Sequence, residues 1–184
     1  MSTPPVASLA KRFHIYGYEP NRDLILEALR TPDEIGRILR VHLALEQQMN
    51  GLIDHVAKRV VSKSASFAAK VISLRCMGIE NNSCDVLESF NNLRNKFAHN
   101  PRATVANNKS IAEKIIGHAL HDLADLGAFQ VHFSETDKDL HKFSDLEIGQ
   151  KILVIGAIYA SYLGNMPHNR VFSPPASAPV PKKT

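Results

Sequence analysis

Tryptophan is absent from this chain, cysteine occurs only twice, and no apolar run approaches the length of a bilayer. Each shortage excludes something. A spanning helix needs about 20 consecutive apolar residues, so none is expected. Cys76 and Cys84 are too few for the disulfide framework of a small secreted scaffold, and they lack metal-ligand spacing. There is no C-x2-C pair and no H-E-x-x-H, the common zinc-site patterns. The phosphate-cradling loops G-x4-G-K-[ST] and G-x-G-x-x-G are missing, as is the G-x-S-x-G nucleophile turn. No basic stretch followed by an apolar core opens the sequence, so no secretion signal is expected and the cytoplasm is the default location. Neither a cofactor nor a metal is expected.

What is present suits a helical domain. A length of 184 residues suggests one domain plus tails. Apolar residues make up 44%, enough for a real core. The formal net charge is +4 and the isoelectric point is near 9.1. That balance is compatible with nucleic acid but does not single it out.

Proline and glycine mark the ends. Residues 1–20, with Pro4, Pro5, Gly17 and Pro20, read as an irregular arm. Residues 165–184 read as a disordered Pro/Ser-rich tail. Between them, residues 21–164 read as one helical domain. Asn21 to Arg30 predicts a short helix. Thr31-Pro32-Asp33-Glu34 reads as an N-cap, a proline at the first helical position and an acid at the third. Ile35, Ile38, His42, Leu45, Met49, Leu52 and Val56 then follow at steps of three and four. His42 on that stripe reads as a core residue with one satisfied nitrogen, and Glu46 is placed to hold it. Ser64 or Ser66 caps the next helix, with Phe67, Val71, Leu74 and Met77 inward and Gly78 as its C′ residue. Asn81-Asn82-Ser83 caps a further helix. Ser110-Ile111-Ala112-Glu113 and Ser144-Asp145-Leu146-Glu147 read as capping boxes for two more, ending near Leu126 and Leu163. Residues 127–143 read as a loop, with Gln130 to Phe133 as an extended stretch. His118 and His121 make a weak H-x2-H pair, read as surface histidines. The expected fold is all-α, a bundle of about five to six helices.

The chemistry concentrates in Leu93-Arg94-Asn95-Lys96-Phe97-Ala98-His99-Asn100-Pro101. A permanent cation, an amide and a titratable ring stand within six residues, and a proline stops the helix. With Arg94 at zero, Asn95 falls at about 100° and His99 at about 140°, with Ala98 at about 40°. Phe97, Leu93, Phe90 and Val86 fall between about 260° and 320°, so one side is apolar and the next sector is Arg, Asn and His around a small residue. Arginine grips phosphate with a planar fork of donors. Histidine moves protons near neutral pH. The same residues also complement the dipole at a helix C-terminus without any catalytic role.

Preceded by Leu93, R-N-K-F-A-H resembles the R-x4-H signature of the HEPN superfamily, small all-α domains of prokaryotic toxins and RNA-cleaving defence proteins. Val41 to Ile53 resembles the long first helix of such domains. Ser66 to Val71, followed by Met77-Gly78-Ile79, resembles the second. This order, with an R-N-x-F-A-H ending, is also similar to the mannitol operon repressor-like family. The resemblance covers roughly residues 35–101.

The resemblance implies two functions. The first is an endoribonuclease of toxin or defence type, acting as a homodimer whose two motifs face one cleft. Arg94, His99 and Asn95 would be its catalytic residues. Lys96, Arg102, Lys58 and Arg59 are the cations expected on RNA phosphates. An antitoxin or regulatory protein would be a further partner, and no membrane is involved. The second is a non-catalytic regulator or interaction module, in which the motif serves as a packed helix end. One branch of HEPN toxins carries a tyrosine two residues after the motif histidine, and that tyrosine receives nucleotide modification. Here that position is Pro101, which excludes control by modification there.

Overall fold

A computed structural model describes residues 22–57, 65–132 and 139–165. Those residues form six α-helices: α1 (Arg22–Arg30), α2 (Glu34–Ala57), α3 (Phe67–Cys76), α4 (Asn81–His99), α5 (Lys109–Asp122) and α6 (Ile148–Asn165). The expected all-α bundle is therefore what the chain builds. The only strands described are two-residue pieces, Gln130–Val131 and His141–Lys142, paired antiparallel. The arm, the tail beyond Asn165, Lys58 and Arg59 lie outside the described residues, and Asn165 itself ends α6.

The long helix α2 is the hub, packed against α1, α3, α4 and α6, while α5 covers α4. The three-and-four spacing dictates this. Ile38, Val41, Leu45, Met49 and Leu52 of α2 are all buried. They meet Val86, Leu87, Phe90, Leu93 and Phe97 of α4 and Ile152, Ile155 and Tyr159 of α6, also buried. The apolar side assigned to the motif helix thus faces the core.

The C-terminus of α3 forms as its sequence predicts. Gly78 adopts φ +87°, a conformation only glycine reaches without strain. Its N–H donates to the Arg75 carbonyl and that of Ile79 donates to the Leu74 carbonyl, both at 3.0 Å. Buried Ile79 and Leu74 complete this Schellman turn. Ser66 is the N-cap, accepting from the Ala69 N–H at 3.2 Å.

Several start signals act differently from their sequence reading. Asp33, not Thr31, caps α2, accepting the Gly36 N–H at 2.6 Å. Thr31 instead closes α1, its hydroxyl donating to the Glu27 carbonyl. The α4 start has no side-chain cap. Ser83 is fully buried and donates to Asp122 Oδ2 at 2.6 Å, and Asn82 meets His121 Nδ1 at 2.7 Å. Tyr159 Oη donates to the same Asp122 oxygen at 2.5 Å. Burial, with the Asp122 carboxylate adding to it, pushes the Tyr159 phenol far above its ordinary range. This knot ties α4, α5 and α6 together, and α5 stops at Asp122 rather than near Leu126. The Ser110 box lies inside α5, which starts at Lys109 behind a 3₁₀ turn. Ser144 lies in another 3₁₀ turn anchored by buried Phe143, so α6 starts later, at Ile148.

Candidate functional site at the junction of α2, α3 and α4

Arg94 lies at the border between the buried and exposed sides of α4 and is half-buried. Its Nη1 donates to Asn95 Oδ1 at 3.1 Å. No ion pair to Arg94 is found among the described residues. Asn95 and His99 stand one turn apart on α4, but the bond that Asn95 makes is this one to Arg94. His99 is exposed at the end of α4, five residues and about 7.5 Å further along the axis. Lys96 and Arg102 are exposed as well. The backbone N–H of Arg102 donates to Asn100 Oδ1 at 2.9 Å, folding the chain back after Pro101. The motif residues therefore share one helix end, with Arg94 turned toward the body and His99 toward solvent.

The charge of Arg94 is felt by a polar cluster that the sequence hid. His42 of α2 is buried, its ring stacked on Phe67 of α3 with centroids 4.2 Å apart. Burial, the largest cause, lowers the His42 pKa to about 4. The Glu46 carboxylate opposes that shift, Arg94 adds to it, a hydrogen bond with Asn91 opposes it, and Lys70 adds to it. His42 Nε2 is buried without a hydrogen-bond partner. The reading that Glu46 holds His42 is corrected in part. Glu46 influences the ring, but its Oε1 takes the ammonium of Lys70 at 2.6 Å.

Lys70 is the residue that the sequence reading passed over. It is only 1% exposed. The signal was present: Phe67, Lys70, Val71 and Leu74 occupy steps of zero, three, four and seven, which puts a lysine on the buried stripe of α3. Asn91 was also missed, although it stands one turn before Arg94. His118 is half-buried, and His121 is engaged by Asn82, so the H-x2-H pair acts as ordinary helix surface.

A buried ammonium needs its counter-charge more than the half-buried carboxylate needs the ammonium. Glu46→Gln strands Lys70, and removing one partner of a buried pair costs about 3–5 kcal/mol. The Glu46 side chain is 28% exposed, so water recovers part of this and about 2 kcal/mol is expected. Lys70→Met removes charge and desolvation together and is expected to be neutral within about 1 kcal/mol. Urea unfolding of the two variants measures the asymmetry; equal losses would refute it.

His42 makes the fold acid-sensitive. Its folded pKa of about 4 lies below the unfolded value of 6.5, so the unfolded chain binds its proton first. Stability is full above pH 6.5 and declines as pH falls toward 4, by a total on the order of 3 kcal/mol. In His42→Phe that component disappears, so its urea midpoint changes less between pH 7 and pH 4.5 than that of the wild type.

No protein-family model, curated protein or solved structure matches this chain. No helix among the described residues is long and apolar enough to cross a membrane.

Proposed function

We propose that this protein is an endoribonuclease of HEPN type, cleaving RNA through its own 2′-OH at a site shared by two copies of the chain. The observation that carries the reading is Arg94. It is a half-buried guanidinium whose hydrogen-bond partner is a neutral amide, on the same helix end as a solvent-exposed imidazole. A cation held in this way is available to a phosphodiester.

The chemistry is transesterification. The 2′-oxygen attacks phosphorus, the P–O5′ bond breaks, and a 2′,3′-cyclic phosphate and a 5′-OH result. His99 of one copy takes the 2′-OH proton, and His99 of the other supplies a proton to the leaving oxygen. Arg94 neutralises the charge that builds on the phosphorane oxygens. Asn95 holds the guanidinium in place. Lys96 and Arg102 face solvent and suit neighbouring phosphates. One Arg and one His per chain make a sparse site, which two copies fill. Leu39 and Leu43, 36% and 43% exposed on α2, lie on the side of that helix next to His42 and supply apolar surface for the second copy.

The test is incubation of single-stranded RNA with the protein in EDTA, followed by analysis of the product ends. Cleavage with 2′,3′-cyclic ends is expected, and none where the attacking 2′-OH is replaced by hydrogen. Equal cleavage by wild type and His99→Ala would end this assignment.

A second reading, a regulator or interaction module, draws on the half-burial of Arg94 and its bond to Asn95. There the motif would fasten the end of α4, and Phe97 and Leu93, both buried, would matter more than His99.

A further inference from the structure

The mechanism above leaves His42 idle, yet three helices converge on that ring. Phe67 of α3 stacks on it, and Asn91 and Arg94 of α4 both influence its proton, Asn91 through a hydrogen bond and Arg94 through its charge. Its Nε2 is buried and unmatched, and buried polar nitrogens rarely stay so. The charged groups facing the ring are Glu46 from α2, Lys70 from α3 and Arg94 from α4. Glu46 and Lys70 neutralise each other at 2.6 Å, which leaves Arg94 as the uncompensated charge. Asn91, Glu46 and Arg94 are half-buried, whereas the ring itself is buried. An unmatched ring nitrogen, a side-chain amide and a guanidinium bonded only to a neutral amide are the parts of an oxyanion site.

We propose that His42, Asn91 and Arg94 form a phosphate-binding cradle between α2 and α4, in which His42 Nε2 meets one phosphate oxygen and the Arg94 fork meets others. The cradle deepens the nuclease reading by adding a contact from α2 to the RNA phosphate. Its own requirement is only a phosphoryl oxyanion, free or within RNA. Binding and protonation are coupled. Burial, with the Arg94 charge adding to it, keeps the ring neutral. A bound oxyanion reverses the local field, and the ring takes up a proton.

The experiment follows the histidine ring signals of the full chain by NMR, first with inorganic phosphate and then with a 2′-O-methyl RNA, which cannot attack itself. Sulfate, whose charge stays fixed over this range, serves for the pH series. The His42 signals are expected to move saturably with phosphate, and the ring midpoint to rise by about one pH unit or more with sulfate, a tenfold preference for the protonated form. In Arg94→Gln the response is lost. In His42→Gln, shown to be folded by thermal unfolding, phosphate affinity falls about tenfold. An unmoved His42 ring, with responses only at amides around Lys96 and Arg102, would overturn the cradle. Response to phosphate but not to the RNA supports a cradle for the free ion. A saturable response in a protein that cleaves no RNA sustains the cradle and sinks the nuclease, so the two failures are distinguishable.

Discussion

Gly156→Ala is expected to lower the unfolding midpoint by roughly 5–10 °C. On helix propensity alone the sign would be opposite, since alanine is favoured over glycine inside a helix by about 1 kcal/mol. The neighbourhood reverses it. A Cβ at Gly156 of α6 would lie 2.2 Å from Val41 Cγ1 of α2 and 3.4 Å from Phe90 Cζ of α4. Val41 and Phe90 are 1% and 0% exposed and have no room to retreat. Valine is also stiff at χ1, so a rotamer change offers little relief. Overpacking of this kind typically costs about 1–3 kcal/mol and sometimes more. The clash has one dominant partner, so it should be correctable. Val41→Ala removes the offending methyl, and the double variant Gly156→Ala/Val41→Ala should unfold above Gly156→Ala alone. Thermal melts of the three proteins give the coupling directly. A Gly156→Ala protein as stable as wild type would mean that α2 and α6 are not in contact at this point.

Arg94→Ala is expected to reduce RNA cleavage by roughly 10³-fold, as loss of a preorganised charge at a developing oxyanion does. Arg94→Lys should recover little, because an ammonium lacks the planar fork. Stability should change by only about 1 kcal/mol, since the guanidinium is half-buried and its hydrogen bond is to a neutral amide. A second consequence is independent of turnover. Arg94 is one of the charges that hold the His42 ring acidic. Without it, the His42 pKa moves upward from about 4, which NMR titration reads in the absence of RNA. If Arg94→Ala leaves cleavage unchanged, the charge stabilisation proposed for Arg94 is wrong. If the wild type cuts no RNA and Arg94→Ala instead lowers stability well beyond 1 kcal/mol, the motif is a structural fastening and the regulator reading takes its place.

Much of the scaffold could be read along the chain. The stripes of α2 and α4 and the glycine ending α3 follow from local periodicity and backbone geometry, which neighbours in sequence decide. Capping was less legible. Asp33 displaced Thr31, and Ser83, read as part of a cap, went instead to Asp122, 39 positions away. A hydroxyl or carboxylate has several partners within reach, and a local pattern does not say which the fold will bring near.

The same limit governs the candidate site. The sequence alone determined that Arg94 and His99 stand on one helix end, at an angle set by 100° steps and before a proline. Only the tertiary structure decided that the imidazole which feels the Arg94 charge is His42, more than fifty positions earlier, and that Lys70 lies buried on Glu46 at 2.6 Å. The physical reason is that a helix fixes the directions of its own side chains, whereas the charges and burial around them come from helices packed on its other faces.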